Sequence, residues 1–225
     1  MEEDRILIGI DFSNASKEVI ELLIEDASET SIFEEIAKAN MNRPEILTLL
    51  LENPDIPDEV RQQVAGALQV PVKARSEIVK VKKSPEVRTQ TILQKIQKLS
   101  VSNKIHLALR GGKEIRSILL RDPSKEVVLT VLENPKLTET EIELISKSRS
   151  IPDEVLRKIT KKREWMRNYN VIMGLVTNPK TPPGISVVLV NELKTRDLAI
   201  LEKNKNVIEG VRATAKKILR ARKAH

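Results

Sequence analysis

Apolar positions recur along this chain at helical spacing. In residues 206–219 they fall at Val207, Ile208, Val211, Ala215, Ile218 and Leu219. In residues 85–99 they fall at Val87, Ile92, Leu93, Ile96 and Leu99, and in residues 152–160 at Val155, Leu156 and Ile159. Steps of three and four residues put each set on one stripe of a helix, with polar residues around the rest. Residues 126–132 and 185–190 are rich in β-branched side chains and suit strands by propensity. Helix-start signals beside them, and helical period in their neighbours, favour helices.

These helices are short. Interrupting residues stand at Asn40, Asn53, Asp122, Asn134, Ser148, near Arg163, and at Asn178, Asn191 and Lys203. From Asp122 the steps are 12, 14, 15, 15, 13 and 12 residues. Each step holds two or three helical turns and a connector, and two steps make a helix pair with the period of a solenoid repeat. Helices this short are marginal alone and need neighbours, which stacking provides.

Three connectors are near-copies. They read NPDIPDEV from Asn53, NPKLTETE from Asn134 and NPKTPPG from Asn178. Asn tolerates the left-handed conformation that ends many helices. The proline after it (Pro54, Pro135, Pro179) disfavours the α region for the Asn and lacks an N–H, so the helix stops. The restart follows at once. Thr181 is expected as N-cap with Pro182 at the first helical position. Thr138 is expected to cap with Glu141 in a capping box. Pro57 and Pro152 also suit the first helical position, with acids in the first turn. Ile56 or Ile151 would then be the N-cap and offers no acceptor; these isoleucines can pack into the layer below instead.

Composition agrees with an all-α chain. Apolar residues make up 40%, aromatic residues only 2% and charged residues 32%, which suits aliphatic packing between helices and is too apolar for general disorder. With no cysteine, disulfides, thiolate catalysis and thiolate metal sites are excluded. No segment reaches the length of a membrane span, and the acidic start Met1-Glu2-Glu3-Asp4 is unlike a signal peptide. A cytoplasmic location is expected.

Charge changes the picture. Residues 1–70 hold 5 basic and 16 acidic residues; residues 71–225 hold 34 and 16. Two surfaces of opposite sign follow, which either dock on each other, within one chain or between two, or stay separately solvated. Residues 70–85 contain two prolines and five basic residues and alternate like a strand around Ile78–Lys82. The expected organisation is a frayed 1–12, an acidic helical unit over 13–70, a linker over 71–84 and a basic helical domain over 85–225.

With these connectors the chain resembles bacterial armadillo- or HEAT-like α-solenoids, in particular the leucine-rich-repeat-variant type built from short stacked helices. The residues that carry the likeness are Asn53-Pro54, Asn134-Pro135 and Asn178-Pro179-Lys180-Thr181-Pro182, with the stretch KREWMRNYNVIMGLVTNPKTP. The resemblance implies a helical-repeat superhelix and says little about function. The founding repeat-variant protein carries an iron–sulfur cluster on a cysteine-rich segment, which this cysteine-free chain cannot share. Some HEAT-like proteins are DNA glycosylases, yet none of their active-site residues maps onto this chain.

Candidate chemistry is sparse. His106 and His225 have no partner spacing for a metal site, and Arg110-Gly111-Gly112-Lys113-Glu114 reads as a helix end rather than a phosphate loop. Asp58-Glu59 and Asp153-Glu154 sit where the helix dipole explains them. The segment 161–170, KKREWMRNYN, holds the only Trp and the only Tyr. On one continuous helix, Trp165 and Tyr169 would share a face with Ile172, Met173 and Val176. They are either core packing or anchors of a partner site with Lys161, Lys162, Arg163, Arg167 and Asn170 around them. The tail from Ala215 is basic with helical period, either a solvated helix end or a contact for an anionic partner. The expectation is a non-catalytic scaffold or adaptor, without cofactor or metal, that binds a protein along its concave surface. The alternative is nucleic-acid binding by the basic C-terminal unit.

Overall fold

The structure, a computed structural model, describes residues 12–27, 30–71 and 85–223. The described residues form α-helices and no strand. A short 3-10 turn (Phe12–Asn14) leads into α1 (Lys17–Glu25), α2 (Ser31–Ala39), α3 (Pro44–Leu51) and α4 (Asp58–Leu68). After the gap come α5 (Pro85–Gln97), α6 (Val101–Arg110), α7 (Lys113–Leu119) and α8 (Lys125–Val131). Then follow α9 (Glu139–Lys147), α10 (Asp153–Lys161), α11 (Tyr169–Thr177), α12 (Pro183–Leu189), α13 (Thr195–Lys203) and α14 (Glu209–Lys223). The two β-branched stretches are helical, as α8 and α12. Residues 1–11, 72–84 and 224–225, which include most of the expected frayed end, most of the expected linker and His225, lie outside the described residues. Phe12 is buried in the core rather than frayed.

Packing divides the chain into two compact units, Met1–Lys136 and Leu137–His225. Composition divides it instead at 71–84. The physical reason for the difference lies in α1, which packs both on α3 and on α6, so the chain returns to its own start after α4. One apolar core joins Ile20, Leu23, Ile46 and Leu50 to Ile92, Ile96, Leu107 and Ile115. In the first unit α2 also packs on α4, α5 on α7 and α6 on α8. In the second unit α9 packs on α11 and α12 on α14, while α10 contacts α9 and α13 contacts α14. Alternate helices are thus neighbours as well as consecutive ones. Gly174 permits the α9–α11 approach, because a Cβ there would collide with the Ser146 hydroxyl. The core of the second unit runs from Ile172 and Val176 through Val190, Leu198 and Leu201 to Val211, Ala215 and Leu219. The stripe of α10 and Val211, Ala215 and Leu219 of α14 are buried as the periodicity requires, Ile208 and Ile218 are half-buried, and Val87 and Leu93 of α5 are exposed.

The connectors work differently from the sequence expectation. Asn178 is extended, with φ −79° and ψ 120°, not left-handed. Gln69 is the single non-glycine with positive φ among the described residues. Proline's steric effect on the preceding residue therefore wins. The Asn side chain then serves two purposes. Its Oδ1 accepts the N–H two residues on: Asp55 at Asn53, Lys136 at Asn134 and Lys180 at Asn178. Asp122, Asn168 and Asn204 repeat the same turn. In two cases the amide also reaches the end of the helix two before. Asn134 Nδ2 donates to Ala108 O at 2.8 Å and Gly111 O at 3.1 Å. Asn178 Nδ2 donates to Ser146 O and Ser148 O, both at 2.9 Å. Each satisfies carbonyls orphaned at the end of an earlier helix.

Helix starts shift by one residue. Pro57, Pro152 and Pro182 are the N-caps of α4, α10 and α12, and Pro183 takes the first helical position of α12. Pro57 O accepts from Arg61 N at 2.9 Å, as a cap carbonyl should. Ile56 and Ile151 precede the caps and are buried. Thr181 is buried too, and its hydroxyl has no partner among the described residues, so it packs rather than caps. The Thr138–Glu141 capping box is present in full.

Arginines close other helix ends in the first unit. Buried Arg61 donates to Leu51 O and Asn53 O, and buried Arg116 to Gly111 O. Arg43 reaches Ser13 O and Ala15 O, and Arg88 reaches Glu25 O. Lys95 bridges Glu21 at 2.7 Å and Glu25 at 3.1 Å, while Lys104 meets Asp122 at 2.8 Å in a largely buried ion pair. Burial pulls the Lys95 ammonium down, but the two carboxylates outweigh it and hold its pKa above the ordinary lysine value.

Candidate interaction surface

The segment 161–170 is not one helix. It runs from the end of α10 through a 3-10 turn (Trp165–Arg167) to the start of α11. Asn168 breaks it: its side chain accepts from Asn170 N and caps α11. Trp165 and Tyr169 therefore do not share one helical face. Both rings are half-buried, Lys161, Arg163, Arg167 and Asn170 are exposed, and Lys162 is intermediate. Lys162 Nζ lies 5.8 Å from the Trp165 ring centre, and Lys194 Nζ lies 4.8 Å from that of Tyr169.

Tyr169 is the hub. Its hydroxyl donates to Asp197 Oδ2 and accepts from Lys194 N at 3.0 Å. Burial raises its pKa, and donation to Asp197 raises it further. On the other side, Asn168 Nδ2 reaches Glu139 and Asn170 Nδ2 reaches Glu143. Glu143 sits below the ordinary carboxylate range, chiefly through its bond from Lys147; burial opposes this, and the bond from Asn170 adds to the lowering. These contacts join α9, α11 and α13.

The basic tail joins the same edge. Arg222 donates to Leu193 O at 2.9 Å, Thr195 Oγ1 at 3.2 Å and Asn191 O at 3.3 Å. Two stretches that are far apart in sequence, 161–170 and the tail, thus meet across residues 191–197. Sequence reading missed Lys194 and Asp197. No periodicity or composition marks them; only the fold brings them beside Tyr169.

Charge is unevenly distributed between the two units. Met1–Lys136 has 20 Lys and Arg against 22 Asp and Glu, whereas Leu137–His225 has 19 against 10. In the second unit Lys161, Arg163, Arg167, Arg196 and Lys223 make no ion pair among the described residues. The connector residues Asn53, Asn134 and Asn178, by contrast, are committed to the backbone.

Other candidate residues have structural places. His106 is half-buried on α6. Gly111 and Gly112 join α6 to α7, and a Cβ on Gly112 would come within 2.6 Å of Asp26 Oδ2. Asp26 accepts from Ile115 N at 3.5 Å, at the start of α7. The acidic pairs Asp58-Glu59 and Asp153-Glu154 occupy first turns. Among the described residues, no group of three or more His, Asp or Glu is placed to hold a metal ion, and no helix is long and apolar enough to cross a membrane. Compared with known proteins, the chain matches no family profile, no curated protein and no solved structure.

Proposed function

We propose that this chain is a non-catalytic helical-repeat scaffold of armadillo/HEAT-like kind, acting in the cytoplasm, that holds a protein partner along the concave surface stacked repeats present. The supporting observation is the alternation of packing partners: α1 with α3, α2 with α4, α5 with α7, α6 with α8, α9 with α11 and α12 with α14. Stacking of that kind makes each short helix depend on its neighbours and leaves outer faces free for a partner. The connector bonds from Asn134 and Asn178 to earlier helix ends add to the reading. The surplus of 19 basic over 10 acidic residues in Leu137–His225 favours a second reading, nucleic-acid binding through that unit.

The deciding experiment is a pull-down with the intact protein, washed with salt and treated with nuclease in parallel. A protein partner that survives nuclease supports the scaffold. Capture that nuclease abolishes supports the second reading. Recovery of no protein under either treatment rules the scaffold out.

A further inference from the structure

We infer that the edge of the second unit built by residues 162–168, the start of α13 and the end of α14 receives an acidic polypeptide segment. This rests on the scaffold reading and names the chemistry of its partner. The charges of this edge come from separate parts of the chain, and bonds tie those parts together. Tyr169 accepts from Lys194 N, and Arg222 holds Leu193 O and Asn191 O. Arg163, Arg167 and Arg196 are exposed on these parts and make no ion pair among the described residues. Guanidinium groups match carboxylates in bidentate fashion, and each is already charged and close to a rigid support.

Phosphate polymers fit less well. Bases need free ring faces to stack on, and both rings of this edge already carry a lysine ammonium. Glu164, Glu192 and Asp197 are interleaved with the arginines. A phosphate backbone, with one charge about every 3.4 Å of a strand, would meet those carboxylates. A peptide can space its carboxylates to face the arginines and place neutral residues opposite the glutamates.

The test uses the intact protein and a fluorescein-labelled oligoglutamate peptide. Anisotropy is read at about 50 mM salt, where screening is weak. Binding is expected, and the triple variant R163E/R167E/R196E should weaken it by about tenfold or more. The control R149E/K180E/K205E makes the same charge change in the α9–α10, α11–α12 and α13–α14 connectors and should stay within about twofold. Thermal melts check that both variants fold. If the reversals unfold the protein, R163Q/R167Q/R196Q replaces them, with a smaller expected loss. The inference is overturned if the peptide does not bind or if both triples weaken it equally. Tighter binding of duplex DNA or single-stranded RNA also overturns it, as does low-salt self-association that the edge triple abolishes. The scaffold reading is judged separately. A pull-down partner retained by the edge triple leaves the scaffold standing and removes this edge from it.

Discussion

The two units share one way of ending helices and differ in what they do with charge. In the first, four cations are turned inward: Arg61 and Arg116 are buried on carbonyls, and Lys95 and Lys104 lie against carboxylates. In the second, Arg163, Arg167, Arg196 and Lys223 face water unpaired. The same residue types therefore hold the fold at some positions, Arg222 of the second unit among them, and form a free surface at others. Net charge along the sequence does not make that distinction, because it counts a buried arginine and an exposed one alike.

The largest expected effect tests what the units share. Asn134→Ala and Asn178→Ala each remove two bonds to earlier carbonyls and one to a backbone N–H at a buried site. Each should cost about 2–4 kcal/mol in urea unfolding. Asn204→Ala removes only the bond from Asn206 N and should cost about 0.5–1 kcal/mol. Equal losses at all three positions would mean that the cross-connector bonds contribute nothing.

The next effect tests the contrast. Arg61→Met leaves Leu51 O and Asn53 O without their buried donor and should cost about 2–3 kcal/mol. Arg196→Met, at an exposed and unpaired site, should stay within about 0.5 kcal/mol. If the two cost the same, the division into structural and free cations is wrong.

The smallest effect depends on pH. Burial pushes the Asp26 carboxyl above its ordinary value of 3.8, with Glu114 adding to the rise; bonds from Ile115 N and Gly112 N and the charge of Arg88 oppose it. The folded state then holds this proton more tightly than the unfolded state. Stability from Asp26 is complete below the ordinary value and is lost as pH rises through the raised one. Asp26→Asn should remove that slope, so the difference between variant and parent unfolding midpoints should grow in favour of the variant as pH rises through this window. A difference that stays flat across it would show that the buried carboxyl is not linked to folding.

Much of the fold was legible in the sequence. Helical stripes such as Val155, Leu156 and Ile159 identified buried faces, because one stripe must leave water whatever the neighbour is. The Asn-Pro breaks and the Thr138–Glu141 box were legible because they act through the local backbone. Cap positions were read one residue early at Pro57, Pro152 and Pro182, since nothing local separates a cap from a first helical position there. The helix through Trp165 and Tyr169 was misread because apolar period continued across Asn168, whose own side chain stops it.

The sequence by itself determined short helices, their breaks and an all-α chain, since these follow from bonds and contacts within a few residues. Only the tertiary structure decided that α6 returns to α1, that residues 85–136 belong with the acidic first 70, and that Arg222 and Lys194 meet near Tyr169. Those outcomes depend on which apolar stripe covers which other, and many stripes of Ile, Leu and Val are interchangeable in sequence. Shape and close approach select among them, as where Gly174 lets α11 lie against Ser146.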